Sequence, residues 1–249
     1  MVDIQSQEVI YSANGVDMSG YIAWDAGLAD KRPGVLVVHD AWGHDHYVRR
    51  RADMLAGLGY TAMAVDMYGN GKTASNPTEV AELISGLVSD MAALRARFDA
   101  ALVQLRSHPE VEAESMAAIG YCLGGGIVLH MARYSAPLKV VASFHGSLPM
   151  GIAAEGEGGE VTARIAVYHG EDDILVDGEA VASFQQEMQK TGADCLFITI
   201  PGAIHSFTNP GATGKGEKFG VPLRYNNLAD RCSWDHMQLV LESAFRETA

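Results

Sequence analysis

One cysteine sits where a serine is usual. Cys122 lies in IGYCLGGGI (Ile119–Ile127), between an apolar run and a glycine-rich stretch. Gly120-Tyr121-Cys122-Leu123-Gly124 has the spacing of a nucleophile elbow, a strand–turn–helix whose sharp turn tolerates no side chain at the flanking glycines. Such a turn lifts the nucleophile above the strand end. The next amide, on Leu123, then faces the space where a tetrahedral oxyanion would form. A helix N-terminus beneath a cysteine also favours thiolate over thiol. Alone, Cys122 would read as a small buried residue; strand, glycines and helix together point to a nucleophile.

A thiol nucleophile needs a base and a group to orient that base. Tyr168-His169-Gly170-Glu171-Asp172-Asp173 closes a second apolar run with carboxylates in the following loop, and either Asp172 or Asp173 could serve. His205, in Pro201–Phe207 after the last apolar run, is the candidate base. A second oxyanion donor is expected from His39-Asp40-Ala41-Trp42-Gly43, most naturally the Ala41 amide, with Trp42 as a further option. Asp40 could hold the proton of a nearby thiol or oppose its ionisation.

These groups need a scaffold that brings strand ends together. Glu8–Tyr11 and Met18–Trp24 flank the turn signal Ala13-Asn14-Gly15, predicting a hairpin. Six near-continuous apolar runs follow: Gly34–His39, Thr61–Val65, Met116–Tyr121, Lys139–Phe144, Arg164–His169 and Cys195–Ile200. Such runs suit strands covered on both faces. Amphipathic helices are expected at Tyr47–Leu58, Thr78–Arg106, Gly126–Arg133, Val181–Lys190 and Asn226–Arg246. The pattern predicts one α/β domain over 1–249, a mostly parallel sheet of about eight strands with helices on both faces. In such sheets functional residues collect at the carboxyl edge.

The composition narrows the partners. A net charge of −13 opposes nucleic acid and anionic membranes, and 48% hydrophobic residues permit a sizeable core. Three cysteines without metal-type spacing argue against a disulfide scaffold, and no signal segment or bilayer-length apolar run is visible, so a cytoplasmic protein is expected. The sequence sets no oligomeric state. HDAWGHDH (His39–His46) offers imidazoles and carboxylates, but His44 and His46 lack the i,i+4 spacing of a helical metal site.

With these residues in place, the chain resembles the dienelactone hydrolase family of cysteine α/β-hydrolases along nearly its whole length. GYCLGGG (Gly120–Gly126), HGEDDILV (His169–Val176) and HSFTNP (His205–Pro210) carry the resemblance, with support from VDMYGNGK (Val65–Lys72) and HDAWG. It implies an α/β-hydrolase fold and hydrolysis of a small-molecule carboxylic ester or lactone through a cysteine acyl-enzyme, without metal or organic cofactor. It further implies Cys122 as nucleophile, His205 as base and Asp173, rather than Asp172, as orienter. Asp40 takes the place of an acidic residue that engages the resting thiol, although glutamate is usual there. Trp42, Tyr68 and Phe207, aromatic residues of the motif loops, are the candidate substrate contacts. Two arginines that grip the dienelactone carboxylate in the family have no counterpart at Ser206–Asn209 or in Thr73–Leu94. Lys215, Lys218 and Arg224, read as loop residues, are the alternative cations. A thioesterase or broad carboxylesterase would share the chemistry; a non-catalytic binding protein of this fold is the reading from another class.

Overall fold

The computed structural model describes residues 2–150 and 159–246. Its elements fall in two compact units, Met1–Ala118 and Ile119–Ala249. In the first, β1 (Ile4–Ala13) and β2 (Val16–Asp25) form an antiparallel hairpin closed by Asn14 and Gly15, both at positive φ. Both strands run longer than their apolar cores predict, because most of β1 is solvent-exposed and shows little alternation. β3 (Arg32–Val38) pairs in parallel with β4 (Thr61–Val65), and β4 pairs antiparallel with β2. Every residue of β4, and all of β3 except Pro33, is buried, as a sheet covered on both faces requires.

Helix α1 (His46–Gly57) starts where the Asp45 carboxylate accepts the Tyr47 amide. The single helix expected over Thr78–Arg106 is instead two, α2 (Pro77–Val88) and α3 (Met91–Arg106). Asp90 makes the break: it takes an extended conformation and its carboxylate accepts the Ala93 amide, starting a new helix after Ser89. β5 (Val111–Tyr121) begins in this unit and ends in the next.

The second unit continues with α4 (Leu123–Arg133), β6 (Val140–Phe144), β7 (Arg164–Gly170), α5 (Gly178–Thr191) and β8 (Cys195–Ile200). β6, β7 and β8 pair in parallel. α6 (Ala212–Phe219) and α7 (Asn227–Arg246) complete the described chain. The sequence reading placed Lys215 and Lys218 in a loop; they lie on α6. Glycines at 214 and 216 hide this helix from periodicity. Gly216 is required there because a Cβ would meet the Leu223 carbonyl. The eight strands form one mostly parallel sheet in the order β1-β2-β4-β3-β5-β6-β7-β8. No helix of the described residues is long and apolar enough to cross a membrane.

Candidate active site

Cys122 connects β5 to α4 with φ 52° and ψ −113°, a strained backbone for a residue carrying a side chain. Local hydrogen bonds hold it there. Its amide donates to the Phe144 carbonyl at 3.0 Å, and its own carbonyl accepts from Gly126 at 3.1 Å and Ser147 at 3.2 Å. A Cβ on Gly120 would fall on the Gly124 carbonyl, so the turn closes only with glycine. Gly120→Ala is therefore expected to destabilise the protein by about 1–3 kcal/mol through overpacking. Thermal unfolding of the variant measures this. Leu123 opens α4, where the first amides have no acceptor within the helix.

The loops after β7 and β8 supply the other two groups. Asp173 Oδ2 lies 2.7 Å from His205 Nδ1, and Asp173 Oδ1 accepts the Leu175 amide at 2.9 Å. Both side chains are buried. Asp172 is exposed and makes only a backbone bond, its amide donating to Ala203. Geometry thus separates the two carboxylates that residue spacing left open. An Asp173 carboxylate accepts the Nδ1–H of His205, which fixes the tautomer with Nε2 as the unprotonated nitrogen when the ring is neutral.

Nε2 is buried and closes no hydrogen bond of normal geometry. Burial alone would lower the His205 pKa. The negative charge of Cys122, with the hydrogen bond and charge of Asp173, outweighs it and raises the value to about 10. Both the charge of Cys122 and a hydrogen-bonding approach of its sulfur to the ring contribute, although that approach falls short of full hydrogen-bond geometry. Contacts of this kind often tighten only when substrate binds.

Stacked rings support the strand ends beneath these groups. Tyr121, Phe144 and Tyr168, the residues just before Cys122, His145 and His169, lie in a row with centroids 5.0 and 4.7 Å apart. His145 follows Phe144 at φ 40°, and its amide donates to the Tyr168 carbonyl. Its ring is edge-on to His205 at 5.3 Å and to Phe207 at 5.1 Å. Sequence reasoning passed over His145. Its place directly after the run KVVASF, matching that of His169 after RIAVY, was the available signal. Phe207 is fully buried against it, in a supporting place rather than an exposed one. His169 is also buried, which lowers its pKa, although the nearby Asp173 opposes that shift.

In the first unit, the loops after β3 and β4 are tied together. His39 Nε2 accepts the Met67 amide, so Nδ1 carries the proton and donates to the Asp40 carbonyl at 2.6 Å. Burial lowers the His39 pKa. Asp40 Oδ1 accepts the Trp42 amide at 2.8 Å, and the Tyr68 hydroxyl donates to the Ala41 carbonyl at 2.9 Å. The Trp42 amide is thus engaged within its own loop. Trp42 and Tyr68 are both buried. Asp66, unremarked in the sequence, gathers the amides of Ser19, Tyr68, Gly69 and Gly71, and so shapes the MYGNG turn. His44 Nε2 donates to the Ala64 carbonyl at 3.2 Å. Two of the three histidines of the suspected metal motif, His39 and His44, are committed to backbone groups. Among the described residues, no group of three or more metal-ligating side chains is gathered.

A mostly parallel sheet, a cysteine elbow and a buried aspartate–histidine pair in the loops after β7 and β8 define an α/β-hydrolase. Residues 18–245 match the model of the dienelactone hydrolase family, and the chain belongs to that family of hydrolases. A dienelactone hydrolase-like promiscuous phosphotriesterase from metagenomic libraries superposes with TM-score 0.91 at 33% identity, covering 97% of this chain and 99% of that one. An uncharacterized Caenorhabditis elegans protein is 36% identical over 155 residues, 61% of this chain and 94% of its own length. A Bradyrhizobium protein named as a probable 2-oxo-3-(5-oxofuran-2-ylidene)propanoate lactonase is 25% identical over 78% of this chain and 80% of its own.

Proposed function

We propose that the protein hydrolyses small carboxylic esters or lactones through a thioester on Cys122. The carrying observation is the buried Asp173–His205 pair at 2.7 Å, whose imidazole proton is held by the charge of Cys122. The Cys122 thiolate attacks the carbonyl carbon, and the C=O electron pair moves onto oxygen. The Leu123 amide receives that oxyanion. The family pattern adds the Ala41 amide as second donor and Asp40 as the carboxylate that tempers the resting thiol. His205 gives its Nε2 proton to the leaving alkoxide, which in a lactone stays tethered to the acyl group. Neutral His205 then takes a proton from water, the hydroxide attacks the thioester, and the thiolate leaves. Every step is carried by side chains and amides of this chain.

The family's lactonases support a lactone, and the phosphotriesterase relative supports testing phosphotriesters beside carboxylic esters. The two places where the family carries carboxylate-gripping arginines hold no basic residue here, which favours uncharged substrates. Wild type and Cys122→Ala assayed against lactones, aryl esters, acyl thioesters and a phosphotriester would test the reading. Turnover confined to wild type supports it; equal turnover in both overturns it, and saturable binding without turnover favours a binding protein.

The elevated His205 pKa gives a pH expectation. The imidazolium is present below about 10 and lost above, so kcat/KM should fall along an alkaline limb near that value. Asp173→Asn removes both a hydrogen bond and a charge that raise the pKa. The His205 ring titration, followed by NMR, should therefore move to lower pH in that variant.

A further inference from the structure

We propose that His145 is a positioning residue for His205, an inference that rests on the proposed thioester chemistry. Three contacts from the loop that carries the base converge on its ring, with the Tyr121 ring of β5 beside it at 6.1 Å. His205 meets it edge-on at 5.3 Å, Phe207 meets it edge-on at 5.1 Å, and Thr208 Oγ1 lies 2.7 Å from its Nε2. Ser206, at φ 60°, makes the turn between the two aromatic contacts. His145 is itself fixed from behind. It is 1% exposed, and its amide is bonded to Tyr168 at 2.8 Å.

The place of His145 in the fold explains what this clamp does. β6 lies between β5, which leads into Cys122, and β7, which leads to Asp173. Cys122 is tied to Phe144, the residue before His145. His145 therefore stands at the end of the strand between nucleophile and orienting acid, and holds the loop of the base that serves both. The Asp173 hydrogen bond fixes one edge of the imidazole of His205 but leaves its plane free to tilt about that bond. The face of His145 restricts the tilt, and the Thr208 bond prevents His145 from turning away. Nε2 of His205 is thereby kept aimed toward Cys122, whose charge, with Asp173, governs its proton.

Three variants test this: His145→Ala, His145→Phe and Thr208→Val. His145→Ala should lower kcat by about 10- to 100-fold with KM little changed, the cost of a misaligned base. The His205 titration should also fall below about 10 as the ring leaves the field of Cys122 and Asp173. His145→Phe keeps the ring and loses the Thr208 bond, so it should recover most of that loss. Thr208→Val should reproduce the smaller defect of His145→Phe, and the two together should be no worse than either alone. If the alanine variant does not fold, the phenylalanine and valine variants carry the comparison. Folded His145→Ala with wild-type kcat and wild-type His205 titration would overturn the inference. Full additivity of His145→Phe and Thr208→Val would also overturn it. An active Cys122→Ala would instead remove the thioester reading, whatever the His145 variants do.

Discussion

Replacing Cys122 with alanine should reduce ester or lactone turnover by about four orders of magnitude or more while leaving the protein folded. The size follows from the nature of the loss. A thioester route needs a bond to sulfur, and no neighbouring group can form it. Binding and oxyanion stabilisation by the Leu123 amide would remain, so a trace of activity above water is expected. Folding should survive because the elbow is held by backbone bonds from Cys122 to Phe144, Gly126 and Ser147, none of which involves the thiol. Circular dichroism and thermal unfolding of the variant beside its kinetics separate the two effects.

Asp173→Asn should be nearly as damaging, by about 10³- to 10⁴-fold in kcat, whereas Asp172→Asn should stay within a small factor of wild type. The contrast comes from position rather than chemistry. Asp173 is buried with one oxygen on His205 and the other on the Leu175 amide. An asparagine can turn its NH₂ toward His205 Nδ1, which then favours the wrong tautomer. The Asp172 side chain faces solvent, and its amide bond to Ala203 survives the substitution. Steady-state kinetics of the two variants at one pH decide the matter. The reverse order would move the orienting role by one residue.

Much of this was legible in the sequence for an identifiable reason. Continuous apolar runs such as TAMAV and CLFITI are strands from their first residue to their last. Of these two only TAMAV is covered on both faces; CLFITI is an edge strand with no residue buried, against the cover its hydrophobicity predicted. The elbow was legible because Gly120 sits where a Cβ would fall on the Gly124 carbonyl, in one sterically demanding turn. What escaped were features made by tertiary contact. Asp90 breaks a helical pattern only because its carboxylate caps the next helix. α6 is concealed by glycines that let the Leu223 carbonyl approach. His145 and Asp66 carry no motif; their weight comes from partners 47 to 63 residues away, such as Thr208 for one and Ser19 for the other. The choice between Asp172 and Asp173 needed either a family pattern or a measured distance.

The central claim is the covalent intermediate, and it can be weighed directly. Enzyme mixed with an activated ester, quenched in acid within one turnover and analysed by intact-protein and peptide mass spectrometry should carry one acyl group on Cys122. The adduct should appear and decay at rates compatible with kcat. Steady turnover with no acyl group on Cys122, in enzyme whose Cys122 can be alkylated without loss of rate, would contradict the account.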